Sequence, residues 1–225
     1  MPVVTVGIAS MAIAVAVCIG LLIRVGQPAH VVPAFVVIAG LMAVQLALAS
    51  SGLLRQWDRV PPPFLLMMLA TLAVTLTAAL SPFGGRLAEA LPFGALIGFQ
   101  AFRLPLELVM HRAAAIGLMP VQMSYAGQNF DIVTGTLAIP VALLAAFNRA
   151  PLALMRVWNL LGLALLLNVV IVAVASLPVF AAFGPDRLNT WVADAPFVWL
   201  PGVLVPAALF GHVLTFRRLR GRVTA

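Results

Sequence analysis

The sequence contains no lysine, one cysteine and six acidic residues in 225, and each shortage removes a class of protein. Without Lys there is no Schiff-base chemistry, retinal-type chromophores included. Cys18 on its own allows no internal disulfide. Charged residues make up 8% of the chain, whereas an average soluble domain carries about 25%. So few charges cannot cover a soluble globule, and an apolar share of 64% is far too high for a disordered chain. Soluble enzymes, nucleic-acid binders and secreted disulfide scaffolds are thereby excluded.

What the chain has instead is long apolar runs, with a mean hydropathy of +1.15. Runs of about twenty apolar residues read as bilayer spans. They recur near 3–23, 31–53, 62–81, 92–112, 132–148, 156–180 and 197–216, which predicts an all-α, polytopic integral membrane protein of about seven transmembrane helices in a single bundle over 1–225. The first run lacks a basic n-region and stays apolar for about twenty residues, so it reads as a retained span rather than a cleaved signal. Cys18 within it is expected as a packed apolar side chain. Trp57, Trp158, Trp191 and Trp199 fall near expected interfaces, where an amphipathic ring is comfortable.

The thirteen Arg are unevenly spread. Arg217, Arg218, Arg220 and Arg222 crowd into the last nine residues. With the C-terminus inside, Arg24, Arg86, Arg149, Arg156 and these four lie on the inner side, against Arg55, Arg59, Arg112 and Arg187 outside. Eight against four predicts N-out, C-in by the positive-inside bias, in a bacterial inner membrane with a cytoplasmic tail.

Polar residues concentrate in the middle of the chain. The fourth span carries Gln100, Arg103, Glu107 and His111, which on a regular helix share an arc of about 80°. Charges at bilayer depth cost at least about 2.5–3.5 kcal/mol each, so Arg103 and Glu107, one turn apart, are expected to pair. The following segment places Gln122, Ser124, Tyr125, Gln128, Asn129 and Asp131 within ten residues, with Asp131 where an N-cap for the fifth span would stand. In the orientation above, this loop and the outer end of the fourth span meet. Gln100, Arg103, Glu107, His111, Tyr125, Asn129 and Asp131 are the candidate residues of one outward-facing polar pocket.

The same groups admit several chemistries. Glu107 and His111, with Asp131 as a third ligand, would be the metal site if there is one. A His beside a Glu also suits proton handling, and Arg103 could hold an anionic group bidentately. His212, near the expected inner end of the seventh span, stands too far from His111 for a bis-histidine haem. Asn168 is expected to bond across helices, and Pro201, Gly202 and Pro206 predict an irregular seventh span with freed carbonyls. No motif implies a cofactor, and catalytic residues are not identifiable. In its FR-x3-E-x3-H helix followed by Y-x-G-x-N-F-D-I-x-T-G, the stretch 99–136 resembles a group of bacterial multi-pass membrane proteins; the resemblance implies no activity, fold or ligand.

The residues therefore point first to small-ligand or ion binding or transport. A membrane-embedded enzyme acting on a lipid or periplasmic substrate, and a non-catalytic accessory subunit, are the alternatives. The expected surroundings are the lipid bilayer, with a membrane-protein partner or a second copy compatible with it, and no nucleic acid.

Overall fold

The computed structural model describes residues 1–221, and Arg222 lies outside the described residues. Among the described residues the chain is helical with no strand. Six helical segments are long and apolar enough to cross a membrane. They comprise α1 (Pro2–Gly26), α2 (Val31–Ser50, preceded by a 3-10 turn at Pro28–His30) and α3 (Pro63–Leu80). Next come the composite α5–α6 (Phe93–Gly98 and Arg103–Ala115), α8 (Leu152–Ala175), and α9 (Val205–Gly221) with the turn before it. Two shorter helices complete the set, α4 (Pro82–Ala90) and α7 (Ile132–Ala146).

Proline placement fixes most helix starts. Pro2, Pro63 and Pro82 sit in the first turn, where a missing N–H costs no hydrogen bond, and Pro92 and Pro151 stand just before α5 and α8. Pro105 acts differently. It cannot donate to the carbonyl four residues back, and a 3-10 turn over Phe99–Phe102 divides α5 from α6 just upstream. The expected unbroken fourth span is therefore two helices joined by a tighter turn.

The spans alternate between two faces of the bundle. The end of α1, the end of α3, all of α4, the start of α5 and the end of α9 share one, the C-terminal face; α4 packs on α1, α3 and α9 there. Two tail arginines are held on this face rather than free in solvent. Arg217 donates to the carbonyls of Ala79 and Ser81 (2.8 Å for Ser81), and Arg218 donates to those of Ala88 (2.8 Å) and Glu89. The Ala79, Ala88 and Glu89 carbonyls belong to the last turns of α3 and α4, where a cation also meets the negative end of the helix dipole, while the Ser81 carbonyl is shared with the Gly85 N–H that opens α4.

The fifth crossing departs most from the sequence expectation. After α6 the chain turns at the opposite face, and residues 116–131 fold back into the bundle, with Gln122, Met123, Ser124 and Asn129 buried. Helix α7 thus begins at depth, beside Arg103, and its 15 residues need cover only about 22 Å to reach the C-terminal face. Non-helical backbone is tolerated at membrane depth only when protein surrounds it. Close packing makes this possible. A Cβ on Gly135 would stand 2.4 Å from the backbone nitrogen of Leu104, so only glycine lets α7 lie against the start of α6. Gly94 of α5 also lies tight on α7, where a Cβ would stand 3.1 Å from the Ala146 Cβ and 3.2 Å from the Ala142 carbonyl oxygen.

Two smaller expectations change. Cys18 is exposed on the outer side of α1 instead of packed. Trp158 is 3% exposed and lies deep in the bundle, far from the interfacial role expected of it.

Candidate functional site

The site is built where α6, the buried segment, α7, α8 and α9 converge. Arg103 opens α6 and is 1% exposed, with its guanidinium pointing away from the α6 axis. Its Nε and Nη2 donate to the two carboxylate oxygens of Asp131, fork to fork. Its Nη1 donates to Nε2 of His212 on α9 at 2.8 Å. A guanidinium has no acceptor, so Nε2 must accept, and the ring proton therefore sits on Nδ1. From there it is donated to Oδ1 of Asn159 on α8 at 2.9 Å. The imidazole is thus held neutral and in one tautomer from both sides.

The same chain of bonds runs the other way from Asp131. Its backbone N–H donates to Oδ1 of Asn129 at 3.0 Å. The Asn129 amide then donates to both oxygens of Glu107 at 2.9 Å and to the Met123 carbonyl at 3.0 Å. Glu107, Asn129, Asp131, Arg103, His212 and Asn159 consequently form one buried polar network across four elements. Thr134 adds a donor to Asp131 at 3.4 Å, and the ring of Trp158 covers His212 with centroids 5.4 Å apart.

The expected Arg103–Glu107 ion pair is replaced by Arg103–Asp131. The physical reason lies in side-chain direction. Helical side chains lean toward the helix N-terminus, and a base four residues before an acid is the poorer order for an intrahelical pair. Arg103 therefore reaches to α7, and Glu107 is left without an ion-pair partner among the described residues. Asp131 does stand at the N-cap position of α7, but its carboxylate caps no helix N–H there because Arg103 holds it.

The remaining candidates divide. Gln100 lies in the 3-10 turn, which rotates it off the shared arc, and it donates to the Ala208 carbonyl of α9 at 2.9 Å. His111 and Tyr125 stack with ring centroids 4.4 Å apart and 18° between planes, one turn beyond Glu107 toward the N-terminal face. The buried Nδ1 of His111 has no hydrogen-bond partner. Among the described residues no three His, Cys, Asp or Glu side chains stand close enough to hold a metal. Glu107, His111 and Asp131 do not form such a group.

His212 and Asn159 were assigned no role by the sequence, with His212 expected near the inner end of its span. His212 instead sits inside the bundle, beside Arg103 at the start of α6 and Asn159 of α8, because α9 packs along both α5 and α8. Asn168, expected to bond to another helix, donates instead to the Gln128 carbonyl of the non-helical segment at 2.7 Å. The irregular seventh span is also present as a π-helical turn over Leu200–Leu204. Pro206 has no N–H to offer the Gly202 carbonyl, and Gln45 of α2 donates to it instead at 3.0 Å.

No protein-family model, no curated protein and no solved structure matches the chain.

Proposed function

We propose that this multi-pass membrane protein is a small ion-transport protein of the bacterial inner membrane, in which Glu107 takes up a proton from the outer side. The observation that carries the reading is the asymmetry of the buried network. Arg103 and Asp131 neutralise each other, whereas Glu107, 2% exposed, has an amide and a backbone-linked amide chain for company but no cation. Its protonation state alone therefore sets the net charge of the network. A lone ionisable group inside a bundle marks ion and proton paths more often than it marks structure.

Access is one-sided. An arginine does not release its proton, so proton transfer along the network stops at Arg103. On the other flank, His111 stands one turn from Glu107 with an unpartnered ring nitrogen, stacked on Tyr125 toward the N-terminal face. The Arg distribution supports that face as the outer one. Arg24, Arg86, Arg149, Arg156, Arg217, Arg218 and Arg220 belong to the opposite side.

A second reading draws on the same network. Since it pins residues 116–131 at depth, it could serve architecture alone, in an accessory subunit. A pH jump on a solid-supported membrane carrying the reconstituted protein decides between them. Proton binding within the membrane dielectric gives a transient current without any added substrate. The current is expected in the parent and lost in Glu107→Gln, which keeps the Asn129 contact. No current in the parent, or an equal one in Glu107→Gln, leaves the architectural reading in force.

A further inference from the structure

Away from this network, α2 stands apart from the bundle. It leans on α1 and on the π-helical turn, and only 6% of its apolar window is buried. Between α2 and α3 runs a cavity of about 320 Å³, floored by Gly202, Val203 and Pro206. Its walls are apolar, with Ile19, Val37, Leu41, Val74, Ala78 and Phe210 among them, and Val37 and Val74 are exposed at its lips. A long apolar slot opening sideways at membrane depth meets hydrocarbon rather than water.

One end of the slot is chemically different. At the C-terminal face it closes on His30 and Phe83, whose rings lie 5.4 Å apart. Gln27 donates to the Phe83 carbonyl at 2.7 Å, and Arg86 reaches the Gln27 side chain at 3.4 Å. Arg24, which follows the lining residue Ile23 in the last turn of α1, is exposed, as are Arg86 and His30. Glu89, three residues after Arg86, makes no ion pair with it. This end of the slot thus holds His30 and, through Gln27, Arg86, with Arg24 on the same face of the bundle.

We infer that this slot is a binding site for an anionic phospholipid, with one acyl chain between α2 and α3 and the phosphate at Arg24, Arg86 and His30. The apolar wall supplies affinity for the chain, and the basic mouth supplies the choice of headgroup, each Arg at the interface favouring an anionic lipid by about fivefold. A zwitterionic lipid fills the slot equally well but gains little at the mouth. This site is independent of Glu107 and its network.

Native mass spectrometry of the full chain in detergent, with equal amounts of phosphatidylglycerol and phosphatidylcholine added, tests the assignment. One phosphatidylglycerol is expected to stay bound in preference to phosphatidylcholine, and excess inorganic phosphate should not displace it. Val37→Trp with Val74→Trp fills the slot from exposed positions and should lower retention about tenfold or more. Arg24→Ala with Arg86→Ala, outside the apolar core, should bring the two lipids to equal retention even if the tryptophan variant folds poorly. Equal retention of both lipids by the parent, displacement by free phosphate, or an unchanged preference in Arg24→Ala with Arg86→Ala would overturn it.

Discussion

Arg103 and Asp131 meet fork to fork inside the bundle although 28 residues separate them in the chain. Everything between them, the rest of α6 and the buried segment, is a loop closed by this pair. Truncating either partner leaves the other charge buried and alone, at about 3–5 kcal/mol, whereas replacing both by apolar side chains leaves none. Arg103→Leu and Asp131→Leu should each lower the melting temperature in detergent more than the double variant does. Additive losses in that cycle would mean that the two groups are not coupled.

The close approach of α7 gives a second expectation. Gly135 has the Leu104 nitrogen and the Arg103 carbonyl carbon within 3.0 Å of where a Cβ would stand. Backbone atoms cannot step aside as a side chain can. Gly135→Ala should therefore force α7 off α6 and cost more than Gly40→Ala, a position with open space around it. Accumulation in the membrane and thermal stability of the two variants make the comparison; equal values would remove the packing argument.

The helix pattern of this chain was readable from apolar runs because the bilayer imposes one simple requirement, about twenty apolar residues per crossing. Six of the expected spans have helices of that length, and α7 is shorter. Its shortness was not readable. Gln122, Ser124 and Asn129 look like a solvated loop in sequence, and only their burial and the partners of Gln122 and Asn129 (Ser176 and Glu107) show that the loop is inside. The grouping of Arg103, Glu107, Asn129 and Asp131 was legible from shared depth. The choice of ion partner was not, because it depends on where α7 starts. Nor was the place of His212, which depends on how α9 packs against α6 and α8. Asn159 carries the one sequence signal for it, a polar residue about 10 Å into α8 that needs a partner on a neighbouring helix.

The freed carbonyl of Gly202 yields a third prediction. Gln45 supplies the donor that Pro206 cannot, so Gln45→Leu should destabilise the parent by about 0.6–1.7 kcal/mol, the range for hydrogen bonds between membrane helices. In a Pro206→Ala background the helix regains its own N–H donor, and Gln45→Leu should then cost little. The same loss in both backgrounds would show that Gln45 acts through packing.

The arginines of the C-terminal face separate into those that are bonded and those that are free. Arg217 completes the end of α3, while Arg24 is exposed. Removing a cation from a helix C-terminus costs about 0.3–1 kcal/mol, more when partly buried. Arg217→Ala, which also removes two part-buried hydrogen bonds, should lower stability more than Arg24→Ala, an exposed cation in the last turn of α1. For orientation, a reporter fused after Ala225 is expected to read as cytoplasmic and one at Met1 as periplasmic. The opposite pattern would invert the side from which Glu107 is reached.

The last prediction concerns Gly162 of α8, which faces the imidazole of His212. A Cβ there would stand 2.3 Å from Cε1 of His212 and 2.8 Å from Cγ2 of Thr134. The ring is already fixed on both nitrogens, by Arg103 and by Asn159, so it has no second position that keeps both bonds. Gly162→Ala should therefore act by expelling the imidazole, breaking a hydrogen bond to a charged group worth about 1.5–3 kcal/mol. His212→Ala removes the same bond by deletion and also opens the space that the new methyl needs. The two substitutions together should then be less damaging than the sum of the singles, and the double variant should melt no lower than Gly162→Ala alone. Thermal melts of the four proteins in one detergent read this out. A neutral Gly162→Ala, or strict additivity with His212→Ala, would show that the imidazole is not held against α8 by this glycine.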